Sequence, residues 1–198
     1  MVRELQPERR EKFLAAALRL FVENGVQRTS TAEIAKEAGT AAGTLFLYFP
    51  TKQSLIDELV LGTGKQQAET IQAAIRPEHS ARERFWTIWS SSVRWFIESP
   101  ESFRFIQQVR DSAVVSEAVV RESNAFFGFY YEAIQKGLAE RVIKPYPVEL
   151  IGGFLYAGIT AITNLAITQP ETYAQADMVR LAFEIFWDGI QQPSKEQQ

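Results

Sequence analysis

Residues 30–55 read Ser-Thr-Ala-Glu-Ile-Ala-Lys-Glu-Ala-Gly-Thr-Ala-Ala-Gly-Thr-Leu-Phe-Leu-Tyr-Phe-Pro-Thr-Lys-Gln-Ser-Leu, and this stretch decides the fold. Ser30 can cap a helix, and Glu33 three residues later completes a capping box. Ile34, Ala35 and Ala38 share one face of that helix. Gly39 supplies a turn, and Thr40-Ala41 leads into a second short helix. Leu45 and Phe49, four residues apart, face back towards the first, while Ala35 and Ala38 are small enough to let the two cross closely. The pattern is a helix-turn-helix, whose second helix fits the major groove of DNA. Thr31, Thr44, Tyr48 and Lys52 remain as outward hydrogen-bond donors suited to phosphate oxygens.

Working outward, the breaks are those of an all-α chain of about nine helices. Pro7 begins the first, whose apolar stripe is Phe13, Ala16, Ala17, Leu20 and Phe21, and Asn24-Gly25 ends it. After the two short helices, Thr51 caps a fourth that runs to about Ile75. Ser80 and Glu83 form a second capping box for a fifth, to about Glu98. A sixth covers Pro100 to about Asp111, a seventh Ser116 to Glu140 and an eighth Pro147 to Thr168. Asp177 is the expected cap of the ninth. The organisation expected is a helix-turn-helix DNA-binding domain over 1–51 and an effector-binding and dimerisation domain over 52–198.

The chain has 198 residues, 46% of them hydrophobic and 12% aromatic, enough for a sizeable core. It has no cysteine, which excludes disulfides, thiolate metal sites and a cysteine nucleophile. The single histidine, His79, lies beside a proline break, so neither a transition-metal site nor a Ser-His-Asp hydrolase is expected, and no cofactor-binding glycine loop is present. The N-terminus lacks the apolar core of a signal peptide, which points to the cytoplasm. Leu150 to Gln169 carries no charge and is long enough to span a bilayer. Its threonines, Asn164 and small residues, with no basic cluster at either end, favour a buried helix at a subunit contact.

Net charge is −3, but its distribution matters more. Residues 1–55 hold eight Lys/Arg and six Glu, a balance of +2 that leaves −5 for the rest. Phosphate attraction is screened beyond a Debye length of about 10 Å, so a mildly basic head on an acidic body can still bind DNA.

The order Thr/Ser-x-x-Ile-Ala-x-x-Ala-Gly followed by Gly-Thr-Leu-Phe-x-Tyr-Phe-x-x-Lys-x-x-Leu resembles the tetracycline-repressor (TetR) family of bacterial regulators. Ala17, Leu18, Leu20, Phe21, Asn24, Gly25 and Thr29 extend the likeness, which covers roughly residues 10–57. The resemblance implies that Ala42, Gly43, Thr44, Phe46 and Leu47 face the bases and that Thr31, Thr44, Tyr48 and Lys52 hold phosphates. It also implies that the fourth helix links the head to a ligand pocket. That helix contains Leu61-Gly62-Thr63-Gly64-Lys65, where two glycines imply bending or close packing. The base-facing set departs from the family at Leu47, where a polar or aromatic residue usually stands. None of the five is Arg, Lys, Asn or Gln, the side chains that read guanine or adenine bidentately. Arg3, Arg9 and Arg10 are candidates for the DNA backbone or adjacent minor groove.

The body is aromatic. Trp86, Trp89, Phe103, Phe127 and Tyr130 are expected to wall a flat apolar pocket, with Gln107 as a polar orienting group, and to prefer a small hydrophobic or aromatic effector. Phe126, Phe127, Phe129, Tyr130 and Tyr131 would wrap over about 200° of one helix. Gly153, Ala157 and Ala161 form a ridge of small residues. Met178, Leu181, Ile185 and Phe186 recur at helical spacing opposite a second apolar face of Val179, Phe183, Trp187 and Ile190. A terminal helix apolar on two faces needs its own body and a second copy of the chain, giving a four-helix dimer contact. The function expected is a homodimeric, ligand-responsive repressor that binds a palindromic operator. Its rival is a helical small-molecule enzyme or carrier, against which stand the missing catalytic groups.

Overall fold

The structure, a computed structural model, describes residues 6–112 and 114–193, apart from the side chain of Asp111. Among them the helices are α1 (Pro7–Asn24), α2 (Thr31–Glu37), α3 (Ala42–Tyr48), α4 (Lys52–Ala74), α5 (Ala81–Glu98), α6 (Pro100–Ser112), α7 (Glu117–Ala125), α8 (Gly128–Ala139), α9 (Val148–Thr168), α10 (Pro170–Tyr173) and α11 (Ala176–Ile190). An isolated antiparallel bridge joins Ile143 to Gln191, and no strand is present among the described residues.

Eleven helices stand where nine were expected. The helix expected over Ser116–Glu140 breaks at Phe126-Phe127, where the Phe127 N–H closes on the Asn124 carbonyl at 3.1 Å. The break falls beside Gly128, a poor helix former. It lets Phe129 enter the core while Tyr131 stays exposed. The turn after Pro170 coils into the short α10. The last helix starts two residues earlier than expected, behind Gln175, and Asp177 lies in its first turn instead of capping it.

The described residues form two compact units. The first draws on Met1–Lys65 and Pro100–Ser123, the second on Gln66–Ser99 and Asn124–Gln198. The packing boundary therefore falls within α4, just past the two glycines. α4 is one unbroken helix through that stretch, and a Cβ on Gly62 would meet nothing within 4 Å.

In the first unit, Phe13, Ala17 and Phe21 of α1 bury against Ile34, Leu45, Phe49 and Leu55. Phe13 meets Phe49 edge-on at 6.4 Å, and Phe21 stacks on Phe105 of α6 at 6.1 Å. Each fully buried side chain of this size stabilises by about 1.5–3 kcal/mol. Gln108 braces α6 to α1 by donating to the Val22 carbonyl at 3.3 Å.

In the second unit, α5 packs on α8, α9 and α11, and α9 also contacts α8, α10 and α11. Trp89 anchors it. The indole N–H donates to the Val179 carbonyl at 3.2 Å, and the ring stacks on Phe186 at 5.7 Å. Gly158 makes the room, since a Cβ there would lie 2.6 Å from the Trp89 ring. By length and composition α9 is a helix apolar enough to cross a membrane. Here it buries Ile151, Leu155, Ile159, Ile162, Thr163 and Ala166 in the unit's core. Leu150, Gly153, Phe154, Ala157 and Ala161 stay exposed on another side of it.

Candidate DNA-binding surface and effector body

The helix-turn-helix is built by local hydrogen bonds. Ser30 and Glu33 cap α2 reciprocally: Ser30 Oγ accepts from the Glu33 N–H at 3.2 Å, and Glu33 Oε2 accepts from the Ser30 N–H at 2.7 Å. The Ser30 N–H and the Ser30 hydroxyl both donate to Glu33 Oε2, at 2.7 Å each, and hold that carboxyl below its ordinary range. Gly39 adopts φ +70°, which L side chains rarely take, and turns the chain. Thr40 then bonds back to the Ala35 carbonyl through both its N–H (2.9 Å) and its hydroxyl (3.2 Å). Thr29, buried, donates its hydroxyl to the Leu20 and Gly25 carbonyls and ties the end of α1 to the start of α2. Thr51 and Ser54 exchange bonds at the head of α4 as a third reciprocal cap.

This framework buries Leu45 and Phe49 and turns the rest of α3 outward. Ala42 and Gly43 are exposed and Thr44 half-buried. Phe46 is 46% exposed and Leu47 60%, so neither is a core residue. Thr31, at the start of α2, is half-buried. Two of the expected phosphate donors already have partners within the unit. The Tyr48 hydroxyl accepts from the Gln6 N–H at 3.1 Å, which leaves its own proton to donate. Lys52 donates to the Gln27 carbonyl at 3.3 Å and sits 5.9 Å over the Phe21 ring. Burial depresses the Lys52 ammonium's pKa, with Glu33 pulling the other way. Arg10 is not a free DNA arm: it pairs with Glu58 and lies 5.4 Å over Phe49, a structural position. Arg9 is half-buried, and Arg3 lies outside the described residues.

The family model for bacterial regulatory proteins of the TetR family matches residues 13–59, and that for the tetracyclin repressor-like C-terminal domain matches residues 63–192. The chain belongs to the TetR family. It is a DNA-binding, ligand-responsive transcriptional regulator of the kind that acts as a dimer, not an enzyme. A TetR-family transcription regulator from Shewanella sp. PV-4 is 32% identical, with a TM-score of 0.86 over 93% of this chain and 99% of that one. The fatty acid metabolism regulator protein of Bacillus subtilis is 26% identical over 77% of this chain and 70% of its own length. The structure of the Bacillus subtilis regulator FadR in complex with stearoyl-CoA shares the fold, at 19% identity and a TM-score of 0.73, covering 91% and 98% of the two chains.

The residues expected to wall a pocket in this TetR-family body are divided between the two units. Phe103 and Gln107 belong to α6 in the first unit, the other four to the second. Trp89, 1% exposed, is a core anchor rather than a pocket wall. Trp86 packs on Phe183 at 5.2 Å with the Arg180 guanidinium 4.4 Å over its face, so both tryptophans are held by α11. The Phe127 and Tyr130 rings lie 5.9 Å apart, beside the next turn of α5. There the Tyr130 hydroxyl lies 3.0 Å from Ser92 Oγ, which itself donates to the Ile88 carbonyl at 2.7 Å. Burial pushes the Tyr130 hydroxyl up to about 12, against the lowering effect of Ser92 and with Tyr156 reinforcing it.

Sequence reasoning missed the polar groups on this side. Tyr156, Thr160 and Thr163 are spaced four and three residues apart and share a face of α9. Gly152, one turn earlier, looks onto Ile134 of α8. The Thr160 and Thr163 hydroxyls are buried without a hydrogen-bond partner. Their type and helical spacing were visible, but threonines in an apolar helix carry no signal until the neighbouring helices are placed. An open groove of about 570 Å³ at the end of α1, lined by residues including Asn24, Arg28, Gln108 and Ser112, contains none of the six expected residues.

The expected dimer residues also divide. Gly153, Ala157, Ala161, Leu181 and Ile185 are exposed and Met178 is half-buried. Phe186 is not available to a partner: it packs on Phe85 at 6.0 Å and on Trp89, in the core of its own unit.

Proposed function

We propose that this regulator is a homodimeric repressor of a palindromic operator, released by a small hydrophobic or aromatic effector. Residues 1–51 act as the DNA-binding domain and 52–198 as the effector-binding and dimerisation domain, working in the cytoplasm. The observation that carries the reading is the outward face of α3, with Ala42, Gly43, Phe46 and Leu47 exposed on a buried Leu45-Phe49 footing. Thr31, Thr44, Tyr48 and Lys52 flank it as hydroxyl and ammonium donors to phosphates. In the dimer the two recognition helices enter successive major grooves about 34 Å apart.

The dimer forms through Leu150, Gly153, Phe154, Ala157 and Ala161 of α9 with Leu181 and Ile185 of α11, an apolar surface that one chain leaves uncovered. The effector contacts Phe127 and Tyr130, with Ser92, Thr160 and Thr163 as polar partners for its head group. Phe103, Gln107 and the two α11-held tryptophans are not assigned to it. The same fold holds stearoyl-CoA in the Bacillus subtilis regulator, so it accommodates a long apolar ligand. By linkage, effector and operator weaken each other's binding by the same factor.

The test is fluorescence anisotropy of the full chain on the DNA upstream of its own gene, titrated with hydrophobic dyes and acyl compounds. Saturable binding that one of them reverses supports the reading. Binding that none reverses, or that sugars and phosphates reverse instead, removes the effector half. Absence of DNA binding removes the whole.

A further inference from the structure

α3 reads Ala-Gly-Thr-Leu-Phe-Leu-Tyr, and its exposed face is carbon. Phe46 and Leu47 present the largest apolar surfaces, beside the small Ala42 and Gly43. Exposed side by side, they are not placed by packing, since the same helix satisfies its own unit through Leu45 and Phe49. Thr31, Thr44, Tyr48 and Lys52 supply hydroxyl and ammonium donors, which suit the phosphate tracks that border a groove. What lies between two phosphate tracks is the edges of base pairs.

Those edges are almost wholly polar. In the major groove guanine shows two acceptors, cytosine a donor, and adenine one of each, while thymine adds a methyl group to its acceptor. A phenyl ring or an isobutyl group pressed onto a polar edge strips it of water and returns no hydrogen bond, which is costly. Pressed onto a thymine methyl, the same side chain buries carbon against carbon. We infer that Phe46 and Leu47 read the operator through thymine C5-methyl groups, so that sequence preference in each half-site is set by apolar contact and not by bidentate hydrogen bonds. This rests on the DNA-binding reading above and adds the chemistry by which bases are told apart.

The methyl can be removed without touching Watson–Crick pairing or any hydrogen-bonding edge, by replacing thymine with deoxyuracil. The full chain is first used to select its preferred duplex from a random pool. Each thymine of the selected half-site is then replaced singly by deoxyuracil, and the dissociation constant is measured by anisotropy at fixed salt. A buried methyl is worth about a fourfold change in affinity, on the scale of one buried methylene. The expected result is a loss of about that size at one or more thymines in each half-site, with other thymines unaffected. Leu47→Ala or Phe46→Ala should weaken binding to the thymine duplex and abolish the deoxyuracil effect at the position its side chain touches. Both positions are exposed, and retained helical circular dichroism verifies folding. If a site is selected but every deoxyuracil duplex binds like its parent, the methyl reading is overturned while DNA recognition stands. If losses appear but persist unchanged in both variants, the methyls are read by other residues and the assignment to Phe46 and Leu47 is overturned. If no sequence is enriched at all, the DNA-binding reading fails with it.

Discussion

Ile185 and Phe186 are neighbours on α11 with opposite environments. Ile185 is 71% exposed and Phe186 only 9%. Replacing Ile185 by Glu should leave the fold intact and separate the dimer. Full burial of an isoleucine side chain is worth about 1.5–3 kcal/mol, so the exposed majority of Ile185 has about 1–2 kcal/mol left to gain on association. In a two-fold interface the substitution occurs in both chains, which raises the loss to about 2–4 kcal/mol. At about 1.4 kcal/mol per decade, the dimer dissociation constant should rise by about 30- to 700-fold. A carboxylate held out of water in the seam would add to this.

Sedimentation equilibrium gives the constant, and far-ultraviolet circular dichroism gives the helix content. The wild type and the variant should match in helicity at concentrations where only the wild type is dimeric. Phe186→Ala is the internal contrast, because it empties a core site between Phe85 and Trp89 and should cost about 3–5 kcal/mol of folding stability. An Ile185→Glu chain that dimerises like the wild type would refute the assignment of the exposed α9–α11 stripe. A variant that loses helicity would show that Ile185 carries packing its exposure does not reveal.

Lys52→Ala should weaken binding to operator and random DNA alike and lower the slope of log affinity against log salt by about 0.9, one phosphate contact; an unchanged slope would assign Lys52 wholly to its Gln27 and Phe21 contacts. Gly158→Ala should destabilise by about 1–3 kcal/mol through overpacking, partly offset by the better helix propensity of alanine, because Trp89 is tied to Val179 and has no room to retreat. Chemical denaturation measures it, and a variant as stable as wild type would mean that Trp89 moves freely. Glu33 and Glu83 have folded pKa values below their ordinary 4.5, so the stability they contribute is present above that value and is lost as pH falls through the folded values. The Glu58 carboxyl, raised chiefly by burial, works in the opposite direction. Glu83→Gln should therefore flatten the fall of the thermal midpoint below about pH 5, and an unaltered profile would exclude Glu83 as a source of acid sensitivity.

What could be read from residues alone follows the range of the interactions involved. The caps at Ser30, Thr51 and Ser80 and the turn at Gly39 are local, made by residues three to five apart, and the structure has them where the spacing puts them. The Phe126–Tyr131 run is also local, yet its periodicity suits one long helix as well as two, and the choice depends on what each ring finds to pack against. The small residues of α9 show the limit most clearly. Gly153 and Gly158 look alike in sequence, but Gly158 admits Trp89 whereas a Cβ on Gly153 would meet nothing. Similarly, α11 is apolar on two faces, and only the position of α5 makes the Phe186 side the inner one. Aromatic character alone does not separate a core anchor such as Trp89 from a residue that lines a pocket.

The shape of α3 ties specificity to dimerisation. A bidentate side-chain contact discriminates by about 1–3 kcal/mol, roughly 5- to 150-fold per base pair. A methyl contact offers about fourfold. Two such contacts in one half-site therefore separate operator from random DNA by only about 16-fold, and a dimer engaging both half-sites squares this to about 250-fold. That lies below the range of about 10³–10⁷ usual for specific binding, so Thr44 and the deformability of the operator must supply the remainder. A monomeric head would bind DNA through its phosphate donors and hardly distinguish one sequence from another. Ile185→Glu, which alters no residue of the helix-turn-helix, should thus cut the methyl-borne preference from about 250-fold to about 16-fold. The same titrations on operator and scrambled duplexes would expose the error if the separated chain still preferred its operator by the full wild-type ratio.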